Sequence, residues 1–169
     1  MSSAVDKRRL HCHDVRMTEK KNRAGETDGF TAEERAAMKE RAEELRAQKG
    51  RTKGAAKAAA ELQDLLDAIA KLPDDADRAL AERLHVVITE AAPQLTPKTW
   101  YGMPAYALDG KVLCFVQPAS KFDTRYTTLG FNDTAQLDDG AMWPASFAVT
   151  SLGPAEQEAI TELVQRAIG

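Results

Sequence analysis

The sequence predicts an α+β fold: a two-layer sandwich of four to five antiparallel strands packed against helices, with an N-terminal helical extension. Three observations lead there. Residues 58–92 carry two leucine-striped runs of helical period. From Trp100 the apolar period drops toward two, around an Asp109-Gly110 dipeptide. Gly153-Pro154 then opens a last amphipathic run. Helices, strands and a closing helix segregated along the chain form layers, not alternating βαβ units.

The first 29 residues are highly charged, lack an aromatic before Phe30 and end in the turn-prone run 23–29. So little apolar surface cannot offset the entropy of ordering, and the segment is expected to be a disordered leader. Met17-Thr18-Glu19-Lys20 reads as a natural start, which would make residues 1–16 an upstream addition. At Thr31 the spacing predicts a capping box, with Glu34 reaching back from three residues on. The helix that follows, to about Gln48, is nearly all Ala, Glu, Arg and Lys. Propensity and i,i+4 charge pairs support it, and it is expected to project or pack lightly. Lys49–Lys57 is a basic linker.

The folded domain is expected from Ala58 to the end. Leu62, Leu65, Leu66, Ile69 and Leu72 stripe one face of its first helix. Asp74 or Asp75 caps the next, whose inner face reads as Ala76, Leu80, Leu84, Val87, Ile88 and Ala91. Ala105–Leu108 and Lys111–Gln117 flank Asp109-Gly110, a dipeptide suited to a hairpin turn with positive φ at both central residues. Val112–Val116 is apolar on both faces and reads as an inner strand. Phe122–Leu129 and Ser146–Thr150 are two further strands. Ile160, Leu163, Val164, Ala167 and Ile168 line the closing helix.

Charge is unevenly divided. Residues 1–57 hold 15 of the 23 Lys+Arg and 10 of the 26 Asp+Glu, a balance of +5; the remainder carries −8. No apolar run approaches the roughly 20 residues of a membrane helix. Two cysteines, Cys12 and Cys114, form no disulfide framework, and a reduced, cytoplasmic setting is expected. The net charge of −3 argues against nucleic acid as a partner, since a dedicated binder carries a basic excess. Four positive charges in the linker give only weak, salt-sensitive association. Gly50–Gly54 lacks the phosphate-loop pattern. His11-Cys12-His13 matches no structural zinc spacing. His85 is expected on the outward face of its helix. Cys114, in an apolar strand, reads as a small core residue without a histidine to activate it.

The most distinctive stretch is Lys98-Thr99-Trp100-Tyr101-Gly102-Met103-Pro104-Ala105-Tyr106. With Met142-Trp143-Pro144-Ala145-Ser146-Phe147 and the C-terminal helix, it resembles the YdhG-like domain family over about Leu62–Ile168. The Phe30–Gln48 helix resembles an extension seen in actinobacterial-type members. The resemblance implies a small cytoplasmic bacterial α+β protein, with no enzyme activity to carry over. Some members have been compared with frataxins as iron chaperones. Physically, Gly102 and Pro104 fix a stiff corner. Its plainer role is to plug one end of the core. Its functional reading is a small-molecule site lined by Trp100, Tyr101, Met103 and Tyr106, with Lys121 and Arg125 supplying polar contacts. A frataxin-like role would use hard oxygen ligands, which Glu61, Asp64 and Asp67 offer at three-residue spacing. No resident cofactor is implied; loosely bound iron would be cargo. The third class is a protein-interaction module presenting the N-terminal helix to a protein partner.

Overall fold

A computed structural model of the chain describes residues 30–49 and 54–169. The leader, the His11-Cys12-His13 triplet and positions 50–53 of the linker lie outside the described residues. The elements run α1 (Ala32–Lys49), α2 (Ala55–Ala70), α3 (Asp75–Ala91), β1 (Thr96–Trp100), β2 (Met103–Leu108), β3 (Lys111–Gln117), α4 (Ala119–Phe122), β4 (Thr127–Phe131), β5 (Ser146–Val149) and α5 (Pro154–Ile168). The strands form one antiparallel sheet in sequence order. This is the α+β class the sequence predicts, with five strands. No helix among the described residues is long and apolar enough to cross a membrane.

The core joins α2, α3 and α5 to one sheet face. Leu65 and Ile69 of α2, Leu72 just after it, Leu84 and Ile88 of α3, and Ile160 and Val164 of α5 meet Tyr106, Cys114, Val116, Leu129 and Phe131. Leu66, expected in the α2 stripe, is exposed. The inner face of α3 is largely the expected one: Leu84, Val87 and Ile88 are buried, and Leu80 and Ala91 pack against the core. Ala76 is exposed, and Asp77 and Ala81 are buried in the first half of the helix instead. Polar contacts hold Asp77 there. Asp74 caps α3 by accepting the Asp77 N–H at 2.8 Å. Asp77 in turn accepts the Ser120 N–H (2.9 Å), the Ser120 hydroxyl (2.6 Å) and the Thr127 hydroxyl. His85, two turns further along the helix, is half-buried.

The sheet departs from expectation at two places. β1, at Thr96–Trp100, precedes the first expected strand, and it tolerates Pro97 because it is an edge strand and one of its edges needs no donor. The expected strand from Phe122 begins only at Thr127. Phe122 ends the α4 turn, and Asp123 turns the chain in a left-handed conformation with φ 51°. Asp109 (φ 49°) and Gly110 (φ 83°) do form the tight hairpin. Tyr106 pairs with Cys114 and Ala107 with Val112, so Leu113 is an extra residue in β3. This bulge explains why Leu113 and Cys114, adjacent in sequence, are both fully buried.

On the opposite sheet face the Phe115 ring lies over Gly130 and within 5.2 Å (centroids) of the Trp100 ring. A Cβ at Gly130 would come inside 3.0 Å of that ring. Gly130→Ala is therefore expected to push Phe115 off the sheet and cost about 1–2 kcal/mol. Denaturant unfolding reads the loss. Trp100 emission, isolated by Trp143→Phe, reads the ring's displacement.

Candidate functional site at the β1–β2 corner

The corner is a two-residue hairpin loop. Trp100 pairs with Met103, leaving Tyr101 and Gly102 to turn the chain with φ of 54° and 69°. Two positive φ values match the right-handed twist of the flanking strands. Glycine adopts this backbone freely, whereas tyrosine does so rarely. Pro104 follows inside β2, paired with Thr99, and Met103 is buried.

The six residues expected to form one concave site are only partly brought together. Trp100 meets Tyr101 edge-on at 4.9 Å between ring centroids. Tyr106 lies on the other sheet face, because side chains alternate along a strand. It is fully buried, with its hydroxyl 3.2 Å from His85 Nδ1 and the two rings stacked at 5.9 Å. The expectation that Tyr106 lines the corner and that His85 is solvated is thus corrected. Burial, reinforced by nearby Cys114, holds the Tyr106 phenol well above its usual pKa. Burial also pushes the Cys114 thiol up to about 12 and lowers the His85 imidazole below its ordinary value. All three groups are neutral near pH 7, and Cys114 is a packing residue, not a nucleophile.

Lys121 reaches the corner and Arg125 does not. Lys121 Nζ donates to Gly102 O at 2.9 Å. Arg125 is exposed, its guanidinium 5.2 Å from the Tyr126 ring centroid. With Arg83, Asp77, Ser120 and Thr127 it lines a separate cleft of about 650 Å³. Burial alone would raise the pKa of Asp77. The Ser120 and Thr127 hydroxyls and the Ser120 and Ala119 amides more than offset this, and its pKa is lowered. A carboxylate so stabilised is a weak base and serves as an anchor.

What completes the corner is α1. Thr31 and Glu34 form the expected capping box, with hydrogen bonds of 2.8 and 3.1 Å. Of the two expected placements, projecting or packing lightly, the second is the one seen, and the helix seats on the hairpin. Glu44 Oε1 accepts the Gly102 N–H at 2.9 Å. Glu40 Oε2 takes the Lys121 ammonium at 2.5 Å. Arg41 pairs with Glu44 at 3.1 Å and stands 5.7 Å from the Tyr101 ring centroid. Residues four apart share a helix face, so Glu40 and Glu44 address the same turn. Ala37, three residues before Glu40, is the buried member among the described side chains of α1. In the sequence Glu40 and Glu44 read as members of the helix's charge pairs; their phase with Ala37 and Arg41 is the signal that sets them apart.

The three candidate metal ligands are not on one face. Each three-residue step turns a helix back by about 60°, so Glu61 and Asp67 diverge by about 120°. Glu61 is buried; its Oε1 lies 3.9 Å from both Lys57 Nζ and Lys98 Nζ and has no hydrogen-bond partner among the described residues. Its expected exposure is corrected. Asp67 accepts Gln63 Nε2 at 2.8 Å. Asp64 and Asp67 share a cleft of about 580 Å³ with Glu40, Glu43 and Glu44, and with Lys71 and Lys121. Among the described residues, no group of three or more His, Cys, Asp or Glu side chains is placed to hold a metal ion.

No protein-family model, curated protein or solved structure matches this chain.

Proposed function

We propose that this chain is a non-enzymatic binding domain, of the YdhG-like kind its sequence resembles. Its binding site is the β1–β2 corner, which reads carboxylates, with α1 as its intramolecular occupant. One observation carries this reading: two carboxylates four residues apart on α1 engage the Gly102 N–H and the Lys121 ammonium together. A backbone donor beside a cation is a carboxylate receptor, and charge-assisted bonds of this kind are the stronger ones. Loose iron handling, a narrower expectation from the resemblance, would draw on Asp64 and Asp67 in the α1–α2 cleft. With no three-ligand group there among the described residues, the corner is the better-supported site.

The test is Glu40→Gln with Glu44→Gln in the full chain. The two contacts are partly exposed, so together they are worth about 1–2 kcal/mol. Hydrogen exchange across α1 should accelerate roughly five- to thirtyfold, with the β2–β4 amides unchanged. Unchanged exchange in α1 would show that the corner does not hold the helix through these groups.

A further inference from the structure

We infer that the corner binds, in trans, an acidic amphipathic helix from another protein, and that α1 is an imperfect occupant which such a helix displaces. This rests on the corner being the binding site. It adds the identity of the partner.

The seat fits a helix and little else. Gly102 presents its N–H and C=O at the tip of a hairpin with no side chain in the way. A Cβ there would fall inside 3.0 Å of Glu40 and Lys121. The two carboxylates reach it from consecutive turns of one helix. When α1 leaves, the Gly102 N–H and the Lys121 ammonium lose these acceptors, and a replacement must bring carboxylates at the same spacing. Charge therefore selects an acidic helix.

α1 itself fills the seat poorly. Beside its polar contacts runs a groove of about 340 Å³, lined by Phe30, Ala37, Met38, Tyr101, Met103, Gln117 and Phe122. From the helix side, Ala37 is buried here, while Phe30 and Met38 line the groove but remain exposed, as does Leu45. A helix held by polar contacts, one buried alanine and two half-open apolar side chains is easily detached, because most helix stability comes from packing an apolar face. A competing helix with a large apolar residue three positions before the first glutamate would fill the groove and keep both carboxylate contacts. The partner motif is thus a bulky apolar residue, Glu three positions on, and a second Glu four beyond that. Such a partner must beat a tethered helix whose effective concentration is in the millimolar range, and the added groove packing provides the margin.

Fluorescence polarisation tests this with a labelled peptide of residues 30–49 carrying Ala37→Leu. The peptide is titrated with the full chain and with full-length Glu40→Gln/Glu44→Gln. The double variant should bind roughly five- to thirtyfold more tightly than the parent chain, because its own helix competes that much less. Adding Lys121→Glu, or the milder Lys121→Met should the first disturb the near-ultraviolet circular dichroism, should abolish binding. A peptide with both glutamates changed to glutamine should not bind. If α1 exchanges faster in the double variant yet no peptide binds, the trans partner is excluded and the corner reading stands. If α1 stays protected, both fall.

Discussion

Replacing Asp77 by alanine will lower the stability of the domain by about 3 kcal/mol, the largest single loss expected outside the apolar core. The carboxylate is buried where α3, α4 and β4 meet, and it accepts three donors from Ser120 and Thr127. Each donor left without an acceptor costs about 1–3 kcal/mol, and water from the adjoining cleft recovers part of that. At this domain size the melting temperature should fall by roughly 6–12 °C. The pH dependence has a definite sign. Because the folded-state pKa of Asp77 is lowered, its contribution is fully present above the unfolded value near 3.8. It is lost as pH falls through the folded value, since the unfolded chain then binds the proton more readily. The parent should therefore lose stability below about pH 4 more steeply than Asp77→Asn. Parallel slopes in acid urea titrations would show that Asp77 does not anchor the α3–β4 junction as an ionised group.

That anchor also explains which parts of the structure were legible in the sequence. Features set by local chemistry were readable: the Thr31–Glu34 box, the Asp74 cap, the Asp109-Gly110 turn and the Leu65–Ile69–Leu72 stripe each depend on residues within a few positions. Features decided by distant partners were not. At the start of α3, Asp77 is buried and Ala76 exposed because Ser120 and Thr127, more than forty residues on, engage the Asp77 carboxylate. Nothing in the run from Ala76 to Ala91 signals that contact. Lys121 and Arg125 sit four residues apart, yet the left-handed Asp123 between them sends one to the corner and the other to a separate cleft. Trp100 and Tyr106 belong to one motif, but strand alternation places them on opposite faces. The corner itself was visible because Tyr-Gly before Met-Pro is unusual backbone chemistry. Its occupant was not, since a helix of Ala, Glu, Lys and Arg reads as solvated until a seat with matching donors is known.

Gly102→Ala should separate the seat from the fold. The substitution has two costs. The backbone has φ 69°, where an L-residue loses about 1–2 kcal/mol relative to glycine. Gly110→Ala, at φ 83° with nothing within 4 Å of a Cβ, carries that strain alone and serves as the control. At Gly102 the new methyl also collides with the ends of Glu40 and Lys121. Both side chains are flexible, so they swing away and the hairpin survives, but the ion pair and the seat of Glu44 are lost with them. The two variants should therefore show a similar drop in global stability from strain, with Gly102→Ala lower by about 1–2 kcal/mol more. Only Gly102→Ala should release α1, seen as rapid tryptic cleavage at Arg41 and Arg46 with the rest of the domain intact. Equal cleavage in the two variants would mean that α1 is held by something other than the Gly102 cradle. A helix that stays protected in Gly102→Ala would mean that Glu40 and Lys121 find another arrangement over the methyl group, and that the missing Cβ is not what admits the helix.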